Sequence, residues 1–346
     1  GCLSSTNFPE ITGSKDFIGE LYHTGKWPHD KVDFEGKKVG IIGTGSSGIQ
    51  AIPTIANLAK ELTVFQRTPN FSVPARNAKL SDEFLSKFKS KIPFYRKEML
   101  TARHGHPWRA PSRSVRSTKK RERDIILEEA WNRGGLRFRE SFGDTLTDLE
   151  SNKLMSAFIK QKILNVVKDP RKAKILTNFD HPFGTKRPAL DTNYFETFNK
   201  DNVKLVDIRE NPIKCLTKSG LETNLQKFDF DMIIFATGFD ALTGSLMKME
   251  IIGQDNIRLS EEWKNGPKTY LGLQVAGFPN FFIVTGPGSP SVLTNMPQSI
   301  DQNVTWITDC ISYLIKNEFT KIEAKEYAMN AWMKHVQEEV EGTLFL

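Results

Sequence analysis

Gly43-Thr44-Gly45-Ser46-Ser47-Gly48 spaces three glycines so that backbone can lie against a pyrophosphate. The first glycine allows a tight turn, the second leaves room for phosphate oxygens, and the third lets helix and strand pack closely. A helix opening at this point also turns unbonded N–H groups toward the anion. Downstream, Gln66-Arg67-Thr68 stands where an NAD site carries an acid for the ribose 2′-hydroxyl. No carboxylate lies between Thr63 and Ser72. Arg67 instead offers a planar cationic fork suited to a 2′-phosphate, and Thr68 adds a hydroxyl, so NADPH is the expected nucleotide rather than NADH.

Such groups work only if strand, turn, helix and strand follow in that order. Val39-Gly40-Ile41-Ile42 is a short apolar run bounded by turn residues and reads as a strand. Ile49 to Lys60, with Gln50 in its first turn, continues as a helix, and Leu62-Thr63-Val64-Phe65 reads as the second strand. Regularity breaks at Pro69, Pro74 and Asn77. From Leu80 to about Asn178 the chain is charged and helix-rich, with helices expected over Phe94 to Arg103, Arg121 to Arg133 and Lys153 to Val167. Strands return at Val203 to Val206 and Met232 to Phe235, the latter running into Ala236-Thr237-Gly238-Phe239. Small residues after a strand let backbone approach a cofactor. The expected fold is therefore α/β, a Rossmann-like nucleotide domain interrupted by a helical insertion.

A chain of 346 residues can hold two or three domains and bury a sizeable core. Its formal charge of +7 suits anionic cofactors without requiring nucleic acid. The basic run from Arg113 to Arg123 is expected to be the solvated face of a helix rather than a polyanion site. Cys2, Cys215 and Cys310 form no CxxC and no metal-binding spacing, so no metal is expected and a reducing, cytoplasmic compartment fits. No apolar run is long enough to span a bilayer, and Phe281 to Thr285 reads as a short buried strand.

Phe17-Ile18-Gly19-Glu20-Leu21-Tyr22-His23-Thr24-Gly25-Lys26-Trp27-Pro28 fits FxGxxxHxxxWP upstream of the glycine turn. This resembles the fingerprint of type I Baeyer–Villiger monooxygenases, the cyclohexanone monooxygenase-like flavoenzymes. Gly43 to Gln50, Val64 to Pro69, Gly184-Thr185-Lys186-Arg187, Ala236 to Phe239, Gly277 to Phe282 and Gly286 to Pro290 resemble the same family in order. The resemblance implies FAD and NADPH as cofactors and insertion of one oxygen of O2 beside a ketone carbonyl. It implies Arg187 as the catalytic cation and Lys186 as a second contact for the 2′-phosphate. Phe17, Gly19, His23, Trp27 and Asp240 would belong to the linkers between flavin and NADPH domains, while Leu293, Thr294, Asn295 and Met296 would line the ketone pocket.

The implied division is 1–28 as the end of an FAD segment plus linker, and 29–74 and 185–240 as the two parts of the NADPH domain. The insertion would cover 75–184, and 241–346 a partial FAD domain. Such proteins begin with an FAD unit carrying its own GxGxxG, which is absent here, so the sequence is expected to be a fragment, inactive by itself. Two alternatives stand beside this reading. A flavin N- or S-monooxygenase shares FxGxxxH, although Trp27-Pro28 and Lys186-Arg187 argue against it, and a non-catalytic NADPH-binding module would need no flavin.

Overall fold

Strand alternation explains how one sheet acquires two buried faces. In a computed structural model, which describes residues 3–102, 104–108, 111–289 and 294–345, five strands form a parallel sheet. They are β1 (Glu20–His23), β2 (Lys38–Ile42), β3 (Glu61–Gln66), β4 (Val203–Asp207) and β5 (Met232–Phe235), in the spatial order β1-β5-β2-β3-β4. Successive side chains point to opposite faces. Val39, Ile41, Leu62, Val64, Met232 and Ile234 therefore enter one core, and Ile42, Phe65, Ile233 and Phe235 enter another.

The first core is covered by helices α1 (Ser46–Leu58), α2 (Lys120–Arg133) and α3 (Leu149–Val166), through Ile49, Ile52, Leu127, Met155, Ile159 and Ile163. The second is covered by a three-stranded antiparallel sheet (Ile213–Thr217, Gly220–Thr223, Lys227–Asp229), through Leu216 and Leu221. The result is a three-layer arrangement whose strands all end along one edge, where open α/β sheets bind ligands. The β2–α1–β3 unit reaches that edge with its glycine turn.

Contacts divide the chain into two compact units. One contains Thr6–Asn77 and Pro111–Phe239, including the sheet and its covering layers; the other contains Gly1–Ser5, Ala78–Ala110 and Asp240–Leu346. The segment 75–184, read from sequence as one helical insertion, is thus shared. Asp82–Ser90 and Ile92–Thr101 belong to the second unit, whereas α2 and α3 close the first core. Residues 20–23, read as part of a linker, form the edge strand β1, with His23 opposite Phe235. The second unit has a small core of Leu259, Trp263, Val275, Phe278, Ile283 and Met329, with α4 (Met296–Lys316) and α5 (Glu326–Glu341) as its longest helices.

Two local expectations fail. Phe281 to Thr285 is not a strand: Thr285 sits at φ 54°, and the long-range bonds from its backbone, Ile283 N–H to Leu273 O and Thr285 N–H to the Asn303 side chain, form no ladder. The basic run is not one helical face, because Lys119 is the residue before α2, Arg116 lies in a turn and Arg113 in irregular chain. No helix among the described residues is long and apolar enough to cross a membrane.

Candidate nucleotide-binding site

Each glycine of the turn has its own geometric reason. Gly43 adopts φ +110°, and a Cβ there would stand 2.4 Å from Ala236 O. A Cβ on Gly48 would stand 2.3 Å from Gly43 O, so α1 packs against the turn only because that atom is missing. Gly45 differs, since a Cβ there would meet nothing within 4 Å. It precedes α1 at φ −78° with no side chain to cap the helix. The first-turn N–H groups of α1 lack intrahelical acceptors and no acidic residue stands there. Ser46, Ser47 and Gln50 are exposed around this opening. Thr44 is buried and ties the turn to the end of β3 by donating to Thr68 O at 3.2 Å. An exposed cradle of backbone at a helix N-terminus fits a dinucleotide pyrophosphate.

Arg67 follows β3, is exposed, and makes no ion pair or side-chain hydrogen bond among the described residues. Thr68 Oγ1 donates to Asp180 Oδ2 at 3.2 Å, and His181 Nδ1 lies 2.8 Å from Asp180 Oδ1. The hydrogen bond from His181, and then the Lys186 charge, hold the Asp180 carboxyl below the usual carboxylate range against its partial burial. Thr68 and Lys186, with Arg67 next to Thr68 in sequence, therefore stand by a carboxylate that lies 112 residues from Thr68.

Lys186 and Arg187 are exposed and emerge from a turn in which Thr185 N–H donates to Pro182 O and Gly184 adopts φ +86°. Buried Asn152 on α3 anchors that turn. Its Nδ2 donates to Thr145 O and Phe183 O, both at 2.8 Å, and its Oδ1 accepts from Phe183 N–H at 2.9 Å. Arg187 lies within electrostatic reach of Arg139, whose side chain is 12% exposed. Burial pushes the Arg139 guanidinium below its usual value; Glu140 opposes this shift and Arg187 adds to it.

The FxGxxxHxxxWP motif and the Ala236-Thr237-Gly238 turn meet at the same sheet edge. His23 is buried; its Nδ1 accepts from Gly25 N–H at 2.9 Å, and its Nε2 is 3.3 Å from Thr237 Oγ1. Thr237 in turn donates to Asn7 O at 2.6 Å. Burial holds the His23 imidazole below its ordinary pKa, with the Asn7 carbonyl acting in the opposite sense. Gly238 adopts φ +80° with open space where a Cβ would point. Phe17 is buried under Gly19, where a Cβ would lie 2.4 Å from the Phe17 ring. Trp27 stacks on Phe34 with centroids 6.2 Å apart.

In the second unit Asp240 is exposed and pairs with Lys248 at 3.3 Å. Thr294 is half-buried and hydrogen-bonds Ser299 at 2.6 Å, and Met296 is half-buried at the start of α4. Leu293 lies outside the described residues. A cavity of about 630 Å3 in this unit is lined by residues including Glu262, Lys268, Glu323 and Tyr327, and neither Thr294 nor Met296 borders it.

Sequence reasoning missed Asp180, His181, Asn152 and Arg139. The first two immediately precede the Pro182–Thr185 turn, and an acid–histidine pair beside a Lys-Arg pair is a signal that could have been read. Asn152 carried none beyond a polar residue near a helix start.

No protein-family model matches the chain. It is 42% identical over 348 residues to cyclohexanone 1,2-monooxygenase from an Acinetobacter species, covering 100% of this chain and 63% of that protein. It is 38% identical over 348 residues to phenazine N-monooxygenase PhzNO1 from Lysobacter antibioticus, again covering 100% of this chain and 63% of the relative. The crystal structure of OTEMO in complex with FAD and NADP superimposes with a TM-score of 0.97 at 42% identity, covering 100% of this chain and 66% of the other. The chain thus spans just under two thirds of the length of these curated relatives.

Proposed function

Because the chain belongs to the Baeyer–Villiger monooxygenase family, we propose that it is the NADPH-handling part of an enzyme that inserts one atom of O2 beside a ketone carbonyl, giving an ester or lactone. The observation that carries this reading is the open backbone cradle at Gly45 beside an uncompensated Arg67. The first-turn N–H groups of Ser46, Ser47 and Gly48 bind the pyrophosphate, while Arg67 and Lys186 bind the 2′-phosphate. Thr44 holds the cradle against β3. His23 and Thr237 fix the strand ends that flank it, and Phe17, Gly19 and Trp27 pack the segment leading there. Asp240 begins the last segment of the second unit and serves as the other linker position.

Arg187 supplies a fixed positive charge where negative charge develops on the oxygen of the attacked ketone. An arginine suits that task because it stays charged when partly desolvated. FAD, when bound, supplies the oxygen-activating chemistry. Gly43–Gly48 is the single GxGxxG in the 346 residues and is assigned to NADPH. Thr294 and Met296 contribute a small polar and a flexible apolar side chain to the ketone pocket. The ketone and O2 are the partners proposed, with the enzyme working in the cytoplasm.

Titration of the chain with NADPH and NADH tests the nucleotide part, with tight binding of the first and weak binding of the second expected. In the complete protein, Arg187→Ala should abolish ketone oxidation while leaving NADP+ binding intact; unchanged ketone turnover would remove Arg187 from the reaction. The 38% identity to a phenazine N-monooxygenase supports a second reading, oxidation at nitrogen. Turnover of a cyclic ketone against an aromatic amine by the complete protein separates the two.

A further inference from the structure

We propose that Asp180 sets how sharply this site distinguishes NADPH from NADH, with His181 as its positioning residue; the proposal rests on reading Gly43–Gly48 and Arg67 as the NADPH site. The sequence following β3 holds no acid, yet the fold delivers one to the same place. Asp180 Oδ2 accepts the Thr68 hydroxyl at 3.2 Å, and Lys186 is close enough to influence its charge. The carboxylate is fixed from behind. His181 Nδ1 lies 2.8 Å from Oδ1, the imidazole is 10% exposed, and it stands edge-on to Phe71 at 5.4 Å. Phe71 in turn stacks on Phe179 at 3.7 Å, so rings anchor the backbone on both sides of Asp180. Among the described residues His181 Nε2 is buried without a hydrogen-bond partner, which leaves the bond to Asp180 as the ring's one polar contact there.

An incoming ribose thus meets two cations and one anion. A 2′-phosphate is attracted by Arg67 and Lys186 but repelled by Asp180. A 2′-hydroxyl has a proton that the carboxylate can accept, as acids do in NAD sites. Thr68 adds to the asymmetry. Its proton is committed to Asp180, so its oxygen presents only lone pairs, which phosphate oxygens cannot use. Asp180 therefore weakens the phosphorylated nucleotide and strengthens the other, narrowing a preference that Arg67 alone would make wider.

The test is calorimetric titration of NADP+ and NAD+ into the chain, unsubstituted and as Asp180→Asn. Asparagine keeps the size and an acceptor for Thr68, and Asp180 is 48% exposed, so the variant should melt with the parent. Removing one unit charge at a half-exposed position should tighten NADP+ binding about three- to tenfold. NAD+ binding should weaken over the same substitution. His181→Phe, which keeps the ring against Phe71 and removes the hydrogen bond, should move the ratio in the same direction by a smaller factor. Constants that stay put, or that move together for both nucleotides, overturn the proposal while leaving the NADPH site standing. Failure of the unsubstituted chain to bind either nucleotide overturns both.

Discussion

Alanine at Gly45 and at Gly48 should have opposite consequences, although the glycines are three residues apart in one turn. At Gly48 the new methyl would stand 2.3 Å from Gly43 O, a backbone atom that cannot swing aside. Relief requires α1 to move away from the turn, and overpacking of that kind costs about 1–3 kcal/mol or more. At Gly45 the methyl meets nothing within 4 Å, and φ −78° is open to alanine. Stability without nucleotide should therefore change by no more than about 0.5 kcal/mol. The same methyl fills the cradle that the pyrophosphate must enter. If its intrusion costs about 1–3 kcal/mol, the dissociation constant for NADP+ rises about 5- to 150-fold. Thermal unfolding without nucleotide, followed by NADP+ titration, separates the effects. Gly45→Ala should melt like the parent and bind poorly, and Gly48→Ala should melt early. A Gly45→Ala protein that bound NADP+ as tightly as the parent would refute the location of the cradle.

Arg67→Ala should weaken NADP+ about 10- to 100-fold, the worth of one charge-assisted contact, and leave NAD+ affinity and melting unchanged because the side chain is exposed. Asn152→Ala should cost about 1–3 kcal/mol by leaving the Phe183 and Thr145 groups unpaired in the interior, as denaturant unfolding would measure. It should also weaken NADP+ binding through the loosened Lys186 turn. Burial depresses the folded pKa of His23 below its unfolded value of about 6.5, so the unfolded chain takes up the proton first. His23 then contributes its full stability above about pH 6.5 and loses it progressively as pH falls below that value. Denaturation at about pH 7.5 and 5.5 should show this loss in the parent and a smaller one in His23→Gln; equal slopes would refute it.

What could be read from residues alone was whatever local chemistry dictates. The Val39 to Phe65 unit declares itself because apolar runs, glycine spacing and helix follow each other within 27 positions, and no distant contact is needed to define them. The edge strand at Glu20–His23 was illegible because its pairing partner is β5, far along the chain. Phe281 to Thr285 misled because apolar content satisfies a strand pattern even when the backbone turns at Thr285. The absence of an acid after β3 was true of the sequence and false of the space around it, since Asp180 arrives there through the α3 region and the Pro182–Thr185 turn.

This difference has a mechanical consequence. The proposed pyrophosphate cradle is made of backbone from one continuous segment, so its shape depends on glycines and on little else. The proposed 2′-phosphate corner combines Arg67 and Thr68 from the end of β3 with Asp180 and Lys186 from beyond α3, and Asn152 anchors the turn that presents Lys186. Damage to α3 should therefore reach the site through its 2′ corner before it reaches the cradle. NADP+ affinity should fall faster than NAD+ affinity when α3 is destabilised, even by a core substitution such as Ile159→Ala that lies outside the nucleotide site. Parallel decline of both nucleotides would mean that α3 supports the sheet as a whole and carries no separate load at the 2′ corner.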